Sequence, residues 1–190
     1  GNLLGKKQHG HMEAVGYDLY CKMLNEAVKN LKGIPTTLED FNTLVDLDVD
    51  AFIPPTYIVN EVQKLDIYKR IASIVSEEEY DDMLDELIDR FGTPPTPVGN
   101  LLHVALLKAD AHKAYINQIV QQDDQIILSM YPKAKIQVDK IDGLLKANRN
   151  LLKFRPGAQP AFIVNTTRVA KKELLMCLKD VISQINHLRY

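Results

Sequence analysis

The spacing of the apolar residues changes along this chain of 190 residues, and that change limits the folds it can adopt. In residues 12–31 and 58–114, apolar side chains recur every three or four positions, which is the period of amphipathic helices. Beyond Tyr115 the period shortens, and β-rich segments flank polar turns. Helices followed by hairpins predict an α+β fold rather than a series of βαβ units: N-terminal helical segments packed with a small, mostly antiparallel sheet, closing on a C-terminal helix.

Four helices are predicted in the first part of the chain. The first covers residues 12–31 and stops before Gly33, and the second covers residues 58–75. The sequence Ser76-Glu77-Glu78-Glu79 forms a capping box that starts a third helix, which ends at Gly92. A fourth has Pro97 in its first turn and runs toward Ala114. On the third helix we expect the buried face to consist of Tyr80, Leu84, Leu87, Ile88 and Phe91.

The strands are predicted in three places. Residues 45–50 alternate strictly between apolar and acidic side chains, as in a half-buried strand. Residues 115–120 and 126–130 flank the polar segment 121–125, and residues 151–154 and 161–164 flank Pro156-Gly157, so each pair predicts a hairpin. A short helix lies between the hairpins, ending near Asn148. The last helix begins at about Thr167 and has an apolar stripe of Leu175, Leu178, Ile182 and Ile185.

Composition excludes several classes of protein. With 46% hydrophobic and 25% charged residues, the chain has the composition of a folded soluble domain. Its net charge of −2 argues against a large basic surface for nucleic acid, and no apolar run approaches the length of a membrane span. The two cysteines, Cys21 and Cys177, show no zinc or disulfide spacing and fit a reducing cytoplasm. Because the sequence begins at Gly1 rather than Met, we expect a piece of a longer protein.

The sequence motifs predict no catalytic or metal-binding residue in this chain. The common phosphate-loop, dinucleotide, serine-hydrolase and zinc-protease motifs do not occur in the sequence. Asp46, Asp48 and Asp50 suggest a calcium loop, but Ala51 stands where such a loop needs Gly, and Tyr57 where it needs Glu. A hydrolase triad assembled from distant residues around a histidine stays open as an alternative.

Three stretches of the sequence resemble the C-terminal end of the bacterial transcription-repair coupling factors. Residues 1–24, GNLLGKKQHGHMEAVGYDLYCKML, resemble the end of the translocation motif that this family shares with RecG, with Gly5, Gln8 and Gly10 at the motif positions. His9 departs from the family's usual serine. Residues 50–73, DAFIPPTYIVNEVQKLDIYKRIAS, and 86–102, ELIDRFGTPPTPVGNLL, are the most specific marks of the family's terminal domain. Residues 115–190 match only in their pattern of strands and a final helix.

The resemblance implies a role for each part of the chain. Residues 1–33 would be the end of the translocase motif and a linking helix, and residues 34–190 the regulatory TRCF domain. The parent would be an ATP-dependent DNA translocase of the bacterial cytoplasm that uses ATP and Mg²⁺, binds double-stranded DNA, displaces stalled RNA polymerase and recruits UvrA for nucleotide excision repair. This chain itself would be non-enzymatic, with no cofactor and no membrane partner.

The resemblance also implies a partner for the terminal domain. It would pack on the UvrB-like N-terminal module of the same protein, hide the surface that UvrA binds and so act as an autoinhibitory clamp. For this contact we select Glu86, Asp89 and Arg90, because charges on a rigid helix can pair with an arginine-rich surface. Glu86 and Arg90 are also spaced i, i+4, which predicts an ion pair between them on the helix face. A free-standing nucleic-acid-binding module is the alternative. It is favoured by Lys133, Lys135, Lys140 and Lys146 and by the lysines of the last helix, and disfavoured by the net charge.

Overall fold

The computed structural model of the chain describes residues 20–25 and 41–190, which belong to two compact units. The first unit contains described residues 20–25 and 47–109, and the second contains residues 41–46 and 110–190. Residues 20–25 are helical, as predicted. The rest of the first predicted helix lies outside the described residues, and so do Gly5, Gln8 and Gly10 of the translocation motif.

The helices of residues 41–190 largely follow the predicted order. They are α1 (Glu61–Ala72), α2 (Glu77–Phe91), α3 (Thr96–Lys113), α4 (Ile141–Ala147) and α5 (Leu174–Asn186). Short 3₁₀ segments, Val138–Lys140 and Lys171–Glu173, precede α4 and α5. Helix α1 starts three residues later than the apolar period predicted, because the side chain of Asn60 accepts a hydrogen bond from the Gln63 amide at 2.9 Å and so caps the helix there.

The predicted capping box at the start of α2 is confirmed. The Ser76 hydroxyl accepts a hydrogen bond from the Glu79 amide at 3.1 Å. The Glu79 carboxylate reaches back to the amide of Val75 at 2.8 Å, one residue earlier than in the usual box. At the other end, Gly92 adopts φ +88, a backbone conformation that L side chains rarely take, and ends the helix.

The predicted buried face of α2 is wrong in part. Leu87 is fully buried as expected, but Ile88 is 45% exposed. Met83, which was not predicted, is buried in the core instead. Met83 and Leu87 are four residues apart and share one side of the helix, whereas Ile88 lies about 100° further round. The rest of the predicted face is only half-buried: Tyr80, Leu84 and Phe91.

The first unit has an aliphatic and tyrosine core. The Tyr68 hydroxyl accepts a hydrogen bond from the Ile53 amide at 2.8 Å, and the Tyr20 hydroxyl donates to the Leu101 carbonyl at 2.8 Å. Both side chains are fully buried, so their hydroxyls need these partners. Fully buried side chains around them are Leu24, Ile53, Ile58, Ile67, Ile71, Leu87, Leu101 and Leu102.

The second unit contains a five-stranded sheet in the order β1-β2-β3-β5-β4. Its strands are β1 (Leu44–Asp46), β2 (Ile116–Gln122), β3 (Gln125–Met130), β4 (Leu152–Arg155) and β5 (Ala161–Asn165). β1 is parallel to β2 and all other pairs are antiparallel, so the α+β prediction with a mostly antiparallel sheet is confirmed. In one cross-strand row Ile119 pairs with Leu128 and Leu128 with Phe162, all buried.

Both predicted hairpins are confirmed. The end of strand β1 and the start of helix α5 differ from the prediction. The first hairpin turns on Asp123 and Asp124 alone, since Gln122 pairs with Gln125 in the ladder. β1 ends at Asp46; Leu47 and Val49 are buried, but the ladder with β2 does not include them. The final helix begins at Leu174 rather than at Thr167, and its predicted stripe is buried. None of the described helices is both long and apolar enough to cross a membrane.

Candidate interaction surface

Helix α2 carries all three residues that were predicted to contact a partner. Glu86, Asp89 and Arg90 are spaced i, i+3 and i+4, which places them on one side of the helix. Asp89 is exposed, and the side chains of Glu86 and Arg90 are 33% and 36% exposed. The helix is fixed to the first unit by the buried side chains of Met83 and Leu87 on its inner face. The structure therefore offers this charged side of α2 to solvent on a rigid support.

Glu86 is bound by two arginines, one of which the sequence did not indicate. Arg70 of α1 binds Glu86 in a bidentate manner, with its two terminal guanidinium nitrogens 2.5 Å from the two carboxylate oxygens. Arg90, one turn further along α2, donates to Oε2 of Glu86 at 2.8 Å. The i, i+4 pair of Glu86 and Arg90 was predicted and is confirmed. The contact with Arg70 joins α1 to α2.

This arrangement keeps Glu86 ionised over the whole physiological range of pH. The hydrogen bonds from Arg70 and then from Arg90 lower the pKa of the Glu86 carboxyl from 4.5 to about 2, and they outweigh the upward effect of partial burial. The hydrogen bond to Glu86 likewise raises the pKa of Arg70, and the charges of Glu86 and Asp66 add to this against the effect of burial. The three residues thus form a permanently charged cluster, which we call the Arg70–Glu86–Arg90 cluster.

Other carboxylates on α2 are not engaged in this way. Asp82, Asp85 and Asp89 are exposed, and none of them forms an ion pair within residues 20–25 and 41–190. Asp89 is next to Arg90 in sequence and on the same side of the helix as Glu86. Asp89 is therefore the acid of the predicted trio that is free to accept a cation from outside.

A groove of about 400 Å³ lies between α1 and α2 beside the cluster. Its apolar lining comes from Ile74 and Met83, both buried. Its charged lining is mixed in sign and includes Asp66, Lys69, Arg70, Glu79, Asp82 and Glu86. Charged side chains of both signs therefore line this groove beside the two apolar ones, which suits a polar protein surface.

Two lysines of the described residues are buried, Lys64 of α1 and Lys108 of α3. Lys108 of α3 is 3% exposed and donates a hydrogen bond to the backbone carbonyl of Leu24. Burial lowers the pKa of its ammonium group from 10.5 to about 8. Together with the Tyr20 bond to Leu101, this contact attaches the helical residues 20–25 to α3. Within the part of the chain that the structure describes, no three His, Cys, Asp or Glu residues are grouped so that they could hold a metal ion.

Comparison with known proteins agrees with this architecture. The family model of the TRCF domain matches residues 47–141, half of the chain. The chain belongs to the TRCF domain family. A crystal structure of the C-terminal domain of a transcription-repair coupling factor superposes on this TRCF domain with a TM-score of 0.63 at 25% identity, covering 74% of this chain and 91% of that one. The predicted resemblance is confirmed.

The curated relatives are also transcription-repair-coupling factors, and they are much longer than this chain. The transcription-repair-coupling factor of Bacillus subtilis is 42% identical over 139 residues, which are 73% of this TRCF domain chain and 12% of the relative. That of Staphylococcus epidermidis is 36% identical over 183 residues, or 96% of this chain and 16% of the relative. The chain therefore spans about an eighth to a sixth of the length of these relatives.

The roles assigned to Glu86, Asp89 and Arg90 stay predictions, and Arg70 was missed. Arg70 lies 16 residues before Glu86, inside the segment DIYKRIAS that helped to identify the family. An arginine 16 residues from an acid carries no periodic signal, because only the tertiary fold, which places α1 beside α2, brings the two together. A sequence argument would have had to predict that packing first.

Proposed function

We propose that this TRCF domain is a regulatory interaction domain at the C-terminal end of a transcription-repair coupling factor. It would dock on the UvrB-like N-terminal module of the same protein through the charged side of α2. The observation that carries the proposal is the arrangement on that helix: an ionised glutamate held between two arginines, beside the free carboxylate of Asp89. Charges held on a packed helix lose little conformational entropy on binding, which favours specific docking.

Docking would regulate the parent by covering the surface that UvrA binds. In the parent, ATP and Mg²⁺ would drive translocation on double-stranded DNA and displacement of RNA polymerase, and release of this domain would expose the UvrA site. Coupling between such sites amounts to about 1–3 kcal/mol, a range that a few interface charges can supply. The domain would thus act as a reversible inhibitor and contribute no catalytic residue.

Within the contact, the three predicted residues would act differently. Asp89 would accept a guanidinium of the partner, since no ion pair of the described chain engages it. Glu86 has about four acceptor positions, of which its arginines use three, so it keeps about one for the partner. Arg90 would offer its remaining N–H groups to a carboxylate or carbonyl of the partner.

Asp89→Arg is the variant that tests this proposal, because it reverses a docking charge without breaking the Arg70–Glu86–Arg90 cluster. We expect binding of the purified chain to the UvrB-like N-terminal module of a coupling factor to weaken at least about tenfold, as measured by titration calorimetry. Asp81→Arg is the matched control. Asp81 is also exposed on α2 but lies about 140° round the helix from Glu86 and about two turns before Asp89. Equal affinities for both variants and the unmodified chain would rule out docking through this side of α2.

One observation supports nucleic-acid binding as a second candidate. In the described residues, the first unit has six Lys and Arg against twelve Asp and Glu, whereas the second unit has thirteen against eight. The excess of basic residues in the second unit suits phosphate contacts, which are strongest at low salt. Titration of the chain with duplex DNA at about 50 mM salt tests this candidate, and absence of binding at that salt would exclude it.

A further inference from the structure

We infer that Arg70 is a positioning residue for docking: from α1, its guanidinium fixes the orientation in which α2 presents the carboxylate of Glu86. This inference rests on the proposed function, because it concerns the same surface. The docking site is then a surface formed by two helices, α1 and α2, rather than the edge of α2 alone. No residue of α1 belonged to the predicted contact.

The geometry distinguishes the two arginines that bind Glu86. Arg70 contacts both carboxylate oxygens, each at 2.5 Å, so it fixes the plane of the carboxylate as well as its position. Arg90 contacts one oxygen at 2.8 Å, and a single contact leaves the carboxylate free to rotate about its terminal bond. Arg90 also lies against the ring of Phe91, with its guanidinium carbon 4.9 Å from the ring centroid. Arg70 therefore contributes the larger part of the orientation.

The helix that carries Arg70 is itself fixed. On the inner side of α1, Ile67, Tyr68 and Ile71 are fully buried, and Tyr68 receives the hydrogen bond of the Ile53 amide. Arg70 thus projects from a rigid support at its own end, and the long side chain is held at its tip by Glu86. A glutamate without this partner would sample several rotamers and lose them on binding, which reduces affinity.

The experiment compares three variants of the chain in the titration against the UvrB-like N-terminal module. Arg70→Ala removes the bidentate partner, and we expect the dissociation constant to rise about 3- to 10-fold. Arg70→Lys keeps the charge but cannot bind both oxygens in one plane, so we expect a smaller rise of about twofold or more. Arg168→Ala, the same change at an exposed arginine of the second unit, should leave the affinity unchanged. Melting temperatures are measured in parallel, and binding is compared well below them.

The outcomes separate this inference from the function on which it rests. If Asp89→Arg weakens binding to the module and Arg70→Ala binds as tightly as the unmodified chain, docking through α2 stands and the role of Arg70 is wrong. If Arg70→Ala binds the module more weakly but Arg70→Lys binds as tightly as the unmodified chain, the charge alone suffices. That result also contradicts a positioning role for Arg70. If Arg70→Ala does not fold, Arg70→Lys decides alone by the same criterion. If Asp89→Arg and both Arg70 variants all bind as the unmodified chain does, the proposed function fails first.

Discussion

The hydroxyl of Tyr57 donates a hydrogen bond to the carbonyl of Gly92 at 2.7 Å. Tyr57 belongs to the stretch DAFIPPTYIV and Gly92 to ELIDRFGTPP, the two stretches that identify the family. Its ring also lies 5.8 Å from the ring of Phe91, measured between centroids. The two stretches are thus in direct contact, and the segment before α1 holds the C-terminal end of α2. That end carries Asp89 and Arg90.

Tyr57→Phe is therefore expected to loosen the end of α2. The change removes one hydrogen bond and leaves the Gly92 carbonyl without its tyrosine partner, which should lower the free energy of unfolding by about 1 kcal/mol. Urea denaturation of the chain measures it. The control is Tyr190→Phe, since Tyr190 is 88% exposed. Equal losses in the two variants would show that the Tyr57 bond does not hold the helix.

The cap of α2 gives a second prediction. Ser76→Ala removes the hydroxyl that accepts from the Glu79 amide, and helix caps of this kind contribute about 1 kcal/mol. The free energy of unfolding should fall by that amount, and Ser183→Ala, at an exposed position inside α5, should change it by no more than about 0.5 kcal/mol. A Ser76→Ala variant as stable as the unmodified chain would contradict the assigned cap.

Local signals predicted these features well, and tertiary packing accounts for what they missed. The Ser76 cap and the Glu86–Arg90 pair lie within one turn of helix, so their spacing in the sequence specifies them. Ile88 was wrongly placed in the core because hydrophobicity does not reveal which side of a helix faces the rest of the fold. The same limit hid Arg70. Strand β1 was predicted too long, since alternating burial continues through Leu47 and Val49 without a hydrogen-bonded partner strand.

The low pKa of Glu86 predicts how the cluster responds to acid. A carboxyl with a pKa of about 2 in the folded chain and 4.5 when unfolded stabilises the fold above pH 4.5, and this contribution is lost as the pH falls toward 2. The difference in unfolding free energy between the unmodified chain and Glu86→Gln should therefore be present at pH 6 and shrink below pH 4.5. Urea denaturation across that range checks it, with Asp81→Asn as the control. A difference that is constant with pH would refute the shift.

The low pKa of Lys108 predicts that the free energy of unfolding also changes at alkaline pH. Its pKa is about 8 in the folded chain and 10.5 when unfolded, so between these values the unfolded chain binds more protons and stability rises with pH. Relative to Lys108→Met, the unmodified chain should gain on the order of 2–3 kcal/mol between pH 7 and pH 10. Lys133→Met, at an exposed lysine, should show no such trend. A Lys108→Met comparison that does not vary with pH would contradict the buried ammonium.

Capture of UvrA by the full-length coupling factor measures whether this domain hides the UvrA site. We expect Asp89→Arg, which should undock this domain, to increase the binding of UvrA to the intact protein, while Asp81→Arg leaves it unchanged. Coupling of about 1–3 kcal/mol corresponds to an increase of about 5- to 150-fold in affinity. If Asp89→Arg abolishes docking on the N-terminal module and UvrA binding stays at the level of the unmodified protein, the domain does not hide the UvrA site, and the autoinhibitory role is wrong.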